Sequence, residues 1–127
     1  METTLPWVAI IDDEDAVRRA LGRLLRSAGI AASDFACGPE LFQILHDNPP
    51  YCVLLDLHMP GMRGIDVLGR LQVEVPLTSV IIMTGHHSPD EQARAMRGNP
   101  IAYLQKPIND QDLLDALAAA RCAWDQA

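Results

Sequence analysis

Four short apolar runs in this chain each end abruptly at a polar residue that can contact phosphate or metal. Runs of this length, separated by helical patterns, are typical of strands in a parallel sheet that is covered on both faces. Ligands of such sheets bind just outside the carboxyl ends of the strands. The runs are residues 8–11, 52–55, 80–83 and 103–105, and they end at Asp12-Asp13, Asp56, Thr84 and Lys106. The sequence therefore predicts that acids, a hydroxyl and an amine gather at one edge of a sheet.

Amphipathic helices are predicted between these strands. The first has an inward apolar stripe and a solvated basic face, and Gly29 is placed to end it in a left-handed conformation. The stripe consists of Val17, Leu21, Leu24 and Leu25, and the basic face of Arg18, Arg19, Arg23 and Arg26. The weaker run at residues 30–35 predicts a second strand.

The later helices are predicted from their start signals and apolar stripes. Pro39 favours a helix start, Ser88 to Glu91 form a capping box, and Asn109 or Asp110 can cap the last helix. The inward residues are Leu41, Ile44 and Leu45, then Ile65, Leu68 and Leu71, and finally Leu113, Leu114, Leu117 and Ala120. Five β/α units with right-handed crossovers predict an open, doubly wound α/β fold with a parallel sheet. We expect a single domain over residues 1–127.

The bulk composition excludes several classes of protein. Hydrophobic residues make up 49% of the chain and charged residues 21%, which is ordinary for a globular domain. No apolar run is long enough to span a membrane, and the first residues lack the basic start of a secretory signal, so we expect a cytoplasmic protein. The net charge of −7 argues against direct binding to nucleic acid, because a phosphate backbone repels an acidic surface. The cysteines are Cys37, Cys52 and Cys122, and their spacing predicts neither a disulfide nor a zinc site.

Asp12, Asp13 and Asp56 would converge if the first and third strands are neighbours, as they are in the flavodoxin-like order 2-1-3-4-5. Carboxylates packed together must share protons or hold a cation, and an oxygen-only set matches Mg²⁺ or Mn²⁺. Lys106 adds a positive charge and Thr84 a hydroxyl. Together these groups match the needs of phosphoryl transfer, with Asp56 as the attacking carboxylate.

Each of these residues also has a purely structural interpretation. An acidic pair after a strand can simply favour a helix N-terminus, a role that suits Asp15. Thr84 could pack in a strand, and Lys106 could be a solvated charge. Tyr103 could be a half-buried edge aromatic. His86-His87 invites a metal site, but adjacent histidines rarely point at one ion, and we interpret His86 instead as bordering the phosphorylation site.

These motifs, in this order, resemble the receiver domain of two-component response regulators over essentially the whole chain. Asp12-Asp13 is similar to the acidic metal-binding pair of that family, with Asp13 as the more direct ligand. The segment from Asp56 through His58 and Pro60 to Gly64 is similar to the family's phospho-acceptor aspartate and the loop that follows it. The resemblance implies a further metal ligand, the backbone carbonyl of His58.

The resemblance also implies how the remaining residues act. Thr84 would be the switch hydroxyl, Tyr103 the switch aromatic, and Lys106 the lysine before a proline that typically has a cis peptide bond. The phosphoryl donor would be a histidine kinase or a histidine phosphotransfer protein, often met by the first helix. Phosphorylation would change the surface of helix 4, strand 5 and helix 5, controlling an output domain or partner, with homodimer formation as one outcome.

The segment from Gly98 to Tyr103 departs from the family pattern. It is one residue longer than the usual spacing from glycine to aromatic residue, and it contains Pro100. The resemblance therefore does not predict the geometry of the surface formed by helix 4 and strand 5. The segment from Met83 to His86 resembles receivers that are fused to helix-turn-helix transcription modules.

Two other functions compete with the phosphorylated switch. A Mg²⁺-dependent aspartyl-phosphate phosphohydrolase is suggested by Asp13 and Asp15 after the first strand, although that class needs a cap or a longer core. A flavodoxin-like cofactor binder is disfavoured because the same loop is acidic where a flavin phosphate would need hydroxyls and glycines. Apart from helping its own phosphorylation and dephosphorylation, the chain is not expected to be an enzyme.

Overall fold

Five β/α units follow one another in the computed structural model, which describes residues 5–61, 63–86 and 88–127. The strands are β1 (Trp7–Ile11), β2 (Ala31–Phe35), β3 (Cys52–Asp56), β4 (Ser79–Thr84) and β5 (Ala102–Gln105). The helices are α1 (Asp15–Ser27), α2 (Gly38–Phe42), α3 (Gly64–Glu74), α4 (Pro89–Arg97) and α5 (Asp110–Gln126). In the described ranges, no helix combines the length and the apolar character needed to cross a membrane.

The strands form one parallel sheet in the order β2-β1-β3-β4-β5, which confirms the predicted flavodoxin-like fold. Between β1 and β3, Val8 lies opposite Cys52 and Ile11 lies opposite Leu55. This register brings the carboxyl ends of the two strands side by side. The residues that close them, Asp12 and Asp56, therefore lie at the same edge.

Alternate residues of β1, β3 and β4 face two hydrophobic clusters, one on either side of the sheet, whereas most of the edge strand β2 is exposed. Val53 and Leu55 face the side covered by α2, α3 and α4. Cys52 and Leu54 face the side covered by α1 and α5. Cys52 is fully buried, and burial raises the pKa of its thiol, which makes it a small core residue rather than a nucleophile.

Several helix ends form as the sequence predicts. Gly29 adopts φ 76° after α1, and the N–H groups of Gly29 and Ile30 donate to the carbonyls of Arg26 and Leu25. These two hydrogen bonds satisfy carbonyls that the helix would otherwise leave unpaired. The Ser88 side chain accepts a hydrogen bond from the Glu91 N–H, and Asn109 likewise caps α5 by accepting from the Asp112 N–H.

The prediction for the second helix is wrong in one respect. The helix ends at Phe42, and residues 43–47 continue as turns, so the helical spacing does not extend to Ile44. Leu41 and Leu45 are buried as predicted, whereas Ile44 is 45% exposed. The predicted inward stripe of α3 omitted Val67, which is fully buried. It included Ile65, which is only partly buried against the core.

The longer segment before β5 is accommodated without disturbing the sheet. Asn99 adopts the left-handed conformation with φ 58°, which asparagine tolerates better than most residues. The Ile101 N–H then donates to the Val80 carbonyl at 2.8 Å, and β5 pairs with β4 so that Tyr103 lies opposite Ile82. The additional residue is therefore absorbed in the turn, and Tyr103 keeps a regular place in the sheet.

The close approach of α3 to the end of β3 is testable with two glycines of the same helix. A Cβ at Gly64 would lie 2.6 Å from Leu57 Cα and 2.9 Å from the Asp56 carbonyl oxygen, whereas a Cβ at Gly69 has no neighbour within 4 Å. Gly64→Ala should lower the free energy of unfolding by roughly 1–3 kcal/mol through backbone displacement. Gly69→Ala should raise it by roughly 0.5–1 kcal/mol through helix propensity. Urea unfolding measures both, and equal effects would refute the close approach.

Candidate functional site

Three carboxylates meet at the carboxyl ends of β1 and β3. Asp12, Asp13 and Asp56 each offer one oxygen, and these atoms all lie within 4.8 Å of one another. Asp12 is fully buried and Asp56 is 3% exposed, whereas Asp13 is exposed. The Asp12 Oδ1 atom accepts a hydrogen bond from the Glu14 N–H at 2.9 Å. The structure thus brings together the three acids that the sequence pattern singled out.

Lys106 supplies positive charge to this cluster from the end of β5. Its Nζ atom lies 2.8 Å from Asp12 Oδ2 and 3.6 Å from Asp56 Oδ1. Burial disfavours the ammonium, but the hydrogen bond with Asp12 and the charges of Asp56 and Asp12 outweigh it, so the pKa of Lys106 lies above its ordinary value. The peptide bond between Lys106 and Pro107 is cis. Lys106 is therefore a charged partner inside the cluster rather than a solvated edge residue.

The charge balance at Asp56 is incomplete. Burial and the neighbouring Asp12 carboxylate raise the pKa of Asp56 from its ordinary 3.8 to about 6, against the lowering effect of Lys106 and of the His58 N–H. One ammonium group faces the three acids described above. At neutral pH the cluster consequently carries excess negative charge, which favours a bound cation.

Thr84 and Tyr103 lie together beside the acids. The Thr84 side chain is fully buried at the end of β4, and its hydroxyl oxygen lies 3.1 Å from both the backbone N and the carbonyl O of His86. Burial and the Glu91 carboxylate raise the pKa of Tyr103, and a hydrogen bond with Thr84 lowers it in part. The predicted switch hydroxyl lies close enough to the predicted switch aromatic to affect its pKa.

His58 joins the loop after β3 to α4. Its backbone N–H donates to Asp56 Oδ1 at 3.3 Å, and its ring Nε2 lies 2.6 Å from Glu91 Oε1. Its ring also meets the ring of His86 edge to face, with centroids 5.5 Å apart. The metal-ligand role implied for the His58 carbonyl stays a prediction. His87 and Met62, which belong to the same two loops, lie outside the described residues.

Arg18 is a residue whose role the sequence pattern missed. It was predicted to lie on a solvated face, but its side chain is only 14% exposed. Its guanidinium donates to the Asp12 carbonyl at 2.6 Å and to the Asp34 carboxylate of β2 at 3.0 Å, and it also pairs with Asp15. The helical spacing gave no signal for these bonds, because they depend on the path of the chain between β1 and α1.

The donor set fits a hard divalent cation. All three candidate ligands are carboxylates, and the exposed Asp13 leaves one side open to the water molecules that Mg²⁺ retains. None of the three residues offers sulfur or imidazole nitrogen, which softer transition metals prefer. Asp12, Asp13 and Asp56 could therefore hold Mg²⁺ or Mn²⁺ at the mouth of the cluster.

The fold and the site are those of a known family of signalling domains. Residues 8–118 match the family model described as the response regulator receiver domain. The chain belongs to this family, whose members are components of two-component signal transduction and not classical enzymes. Receiver domains generally bind Mg²⁺ in an acidic pocket and generally receive their signal from a histidine kinase.

Individual relatives support this assignment. The chain is 36% identical over 121 residues to nodulation protein W of Bradyrhizobium diazoefficiens, covering 93% of this chain and 52% of that protein. It is 32% identical to the transcriptional regulatory protein FixJ of Azorhizobium caulinodans, covering 94% and 56% of the two chains. The chain thus spans about half the length of these relatives.

A solved structure agrees with the fold in detail. The signal receiver domain of an HD domain-containing protein from Pseudomonas fluorescens Pf-5 superposes with a TM-score of 0.90 at 27% identity. The match covers 96% of this chain and 98% of the other. The same family is therefore indicated by sequence and by structure.

The raised pKa of Asp56 predicts how stability depends on pH when divalent cations are absent. Between its ordinary pKa of 3.8 and its folded value of about 6, the native state binds more protons than the unfolded state, so stability falls as pH rises. Asp56→Asn does not titrate, so its free energy of unfolding should exceed that of the wild type by roughly 3 kcal/mol near pH 8, since one pKa unit corresponds to about 1.4 kcal/mol. The difference should disappear below about pH 4. Urea unfolding across this range measures it, and a constant difference would contradict the titration of Asp56.

Proposed function

We propose that this chain is a phosphorylation-controlled switch in which Asp56 accepts a phosphoryl group from a phosphohistidine. The donor would be a histidine kinase or a histidine phosphotransfer protein. One observation carries the proposal: the carboxylate that ends the central strand β3 lies within 4.8 Å of two further carboxylates and 3.6 Å from an ammonium. A nucleophile with acids and a cation beside it matches the needs of phosphoryl transfer.

The transfer is a displacement at phosphorus. A carboxylate oxygen of Asp56 forms a bond to phosphorus as the phosphorus–nitrogen bond of the donor breaks, and the electron pair returns to the imidazole nitrogen. With a proton on the other ring nitrogen of the donor imidazole, the products are an acyl phosphate on Asp56 and a neutral histidine on the donor. Because the pKa of Asp56 is about 6, the attacking carboxylate is mainly ionised at neutral pH even without a cation.

Asp12, Asp13 and Asp56 would hold Mg²⁺ through carboxylate oxygens, and the backbone carbonyl of His58 would complete the protein ligands. When bound, Mg²⁺ supplies the positive charge that allows an anionic phosphoryl group to approach three acids. The N–H of Glu14 fixes one oxygen of Asp12 at 2.9 Å, and Arg18 holds the Asp12 carbonyl. These contacts orient the acidic pair before any ligand arrives.

Lys106 and Thr84 would respond to the new charge. The Lys106 ammonium, now shared between Asp12 and Asp56, would pair with an oxygen of the transferred phosphoryl group. The buried Thr84 hydroxyl would turn from His86 to another of these oxygens, and Tyr103, which lies close to Thr84, would move with it. The charge change at Asp56 would in this way reach β4 and β5.

The outcome would be a changed surface on α4, β5 and α5. Met96 on α4 is 46% exposed and Ile101 before β5 is 37% exposed, which gives this surface apolar contacts for a partner domain or a second copy of the chain. We include homodimer formation on phosphorylation in the proposal for this reason. Since FixJ is a transcriptional regulatory protein, control of transcription is the output that we propose.

The alternative of an aspartyl-phosphate phosphohydrolase has less support. It requires Asp15 to act beside Asp13, but Asp15 begins α1 and is 64% exposed, paired with Arg18 and Arg19. This arrangement matches the helix N-terminal role instead. A stoichiometric, retained phosphoryl group would favour the switch, and rapid multiple turnover would favour the hydrolase.

Labelling tests the central proposal. Incubation with a radiolabelled phosphohistidine donor and Mg²⁺ should place one acid-labile, hydroxylamine-sensitive phosphoryl group on the wild type. Asp56→Asn keeps the shape of the side chain but removes the nucleophile, so labelling should vanish, and a chelator should also prevent it in the wild type. Undiminished labelling of Asp56→Asn would sink the assignment, and labelling in the presence of chelator would exclude the metal requirement.

Lys106→Ala separates charge pairing from metal binding. Without the ammonium, Asp12 has no competing cation, so calorimetry should show tighter Mg²⁺ binding than in the wild type. Phosphoryl transfer at saturating Mg²⁺ should nevertheless slow by on the order of a hundredfold, because a donor to the phosphoryl oxygens is lost. Transfer at the wild-type rate would show that Lys106 is a bystander.

A further inference from the structure

His58 stands where three parts of the site meet. Its backbone N–H donates to Asp56 Oδ1 at 3.3 Å, its Nε2 atom lies 2.6 Å from Glu91 Oε1, and its ring packs edge to face on the ring of His86. Glu91 belongs to the first turn of α4. A single residue therefore connects the candidate phospho-acceptor with α4 and with the loop after Thr84.

The Glu91 side chain is held in this position rather than spread into solvent. It is 18% exposed, and its backbone N–H is bonded to Ser88, while its carboxylate is directed to His58. The sequence pattern predicted a capping box at these residues, and half of that pattern is formed. The Oε1 atom of Glu91 is buried and makes no hydrogen bond with the described residues, so its 2.6 Å approach to Nε2 is a close side-chain contact rather than a hydrogen bond.

We propose that Glu91 is a positioning residue of the phosphorylation site. Through His58 it holds the loop after Asp56 against α4, and it links the acceptor carboxylate to α4 by a route separate from Thr84 and Tyr103. The link to phosphorylation rests on the proposed function of Asp56. The positioning itself exists in the unphosphorylated protein and is tested there.

The geometry gives this route a physical basis. A phosphoryl group on Asp56 changes the oxygens that face the His58 N–H, so the hydrogen bond between Asp56 and the His58 backbone must adjust. His58 cannot shift without altering its 2.6 Å contact with Glu91 or its packing on His86. The adjustment would therefore change the position of the first turn of α4.

Three variants isolate the contact. Glu91→Ala removes the side chain that contacts His58, and Glu91→Gln keeps the shape of that side chain without the charge. Asp90→Ala is the matched control, because Asp90 is an exposed acid in the same helix turn, so its removal costs α4 the same charge. Thermal unfolding of all three verifies that they are folded before the comparison.

Hydrogen exchange in the unphosphorylated protein tests the positioning. In Glu91→Ala the His58 amide should exchange about fivefold faster than in the wild type, because the loop loses the side chain that holds it against α4 and opens locally more often. Glu91→Gln should recover most of the protection, and Asp90→Ala should match the wild type. If Glu91→Ala and Asp90→Ala exchange alike at His58, Glu91 does not position the loop.

Amide chemical shifts after phosphorylation test the link to α4. With a small phosphoramidate donor and Mg²⁺, residues 92–97 should shift in the wild type, in Asp90→Ala and in Glu91→Gln. In Glu91→Ala these shifts should fall by half or more, while the shifts at Thr84 and Tyr103 persist. Full shifts in α4 of labelled Glu91→Ala would overturn the second route. If the wild type takes no label, the proposed function fails, and the exchange measurement alone decides the positioning role.

Discussion

Two carboxylates are buried at the ends of strands whose other residues form the hydrophobic core. Asp12 and Asp56 have almost no contact with solvent, so each ionised group loses most of the hydration that would stabilise it. The Lys106 ammonium, 2.8 Å from Asp12 and 3.6 Å from Asp56, restores part of this loss. The remaining deficit appears as the raised pKa of Asp56. The negative charge of the site is therefore only partly neutralised by the protein itself.

The parallel sheet produces this situation directly. Because β1, β3 and β5 all run in one direction, the residues that follow them reach the same edge from separate parts of the chain. Backbone contacts then fix the acids: Glu14 and Arg18 bond to Asp12, and the His58 N–H bonds to Asp56. A change of charge at this edge acts on several loops at once, since each loop supplies one of these contacts.

The sheet and its edge were largely predictable from the sequence. Apolar runs that end at Asp12, Asp56, Thr84 and Lys106 predict four of the five strands and the place of the site, because the carboxyl ends of parallel strands meet at one edge. Helix ends at Gly29, Ser88 and Asn109 followed from local chemistry that needs no tertiary context. The predicted order of the strands is also the observed one.

The features that the sequence did not predict depend on the tertiary path of the chain, which hydrophobic periodicity does not encode. Ile44 is exposed because α2 is only five residues long and continues as turns. Arg18 lies at a position that a helical wheel assigns to solvent, but the end of β1 and Asp34 of β2 close over it. Glu91 was predicted to complete a capping box, and its side chain instead finds His58 in a loop more than thirty positions earlier. Long-range polar contacts of this kind require the fold itself.

The close packing at Gly64 makes the loop after Asp56 mechanically asymmetric. On one side, the Gly64 N–H bonds to the Leu57 carbonyl at 3.1 Å, and α3 anchors four buried residues in the core. On the other side, the nine residues of α4, all within the described part of the chain, include Ala95 as their one buried member. The loop is therefore packed more closely on its α3 side than on its α4 side. If Asp56 is phosphorylated as proposed, this difference in packing would favour movement of the loop on its α4 side, in addition to the contacts of His58.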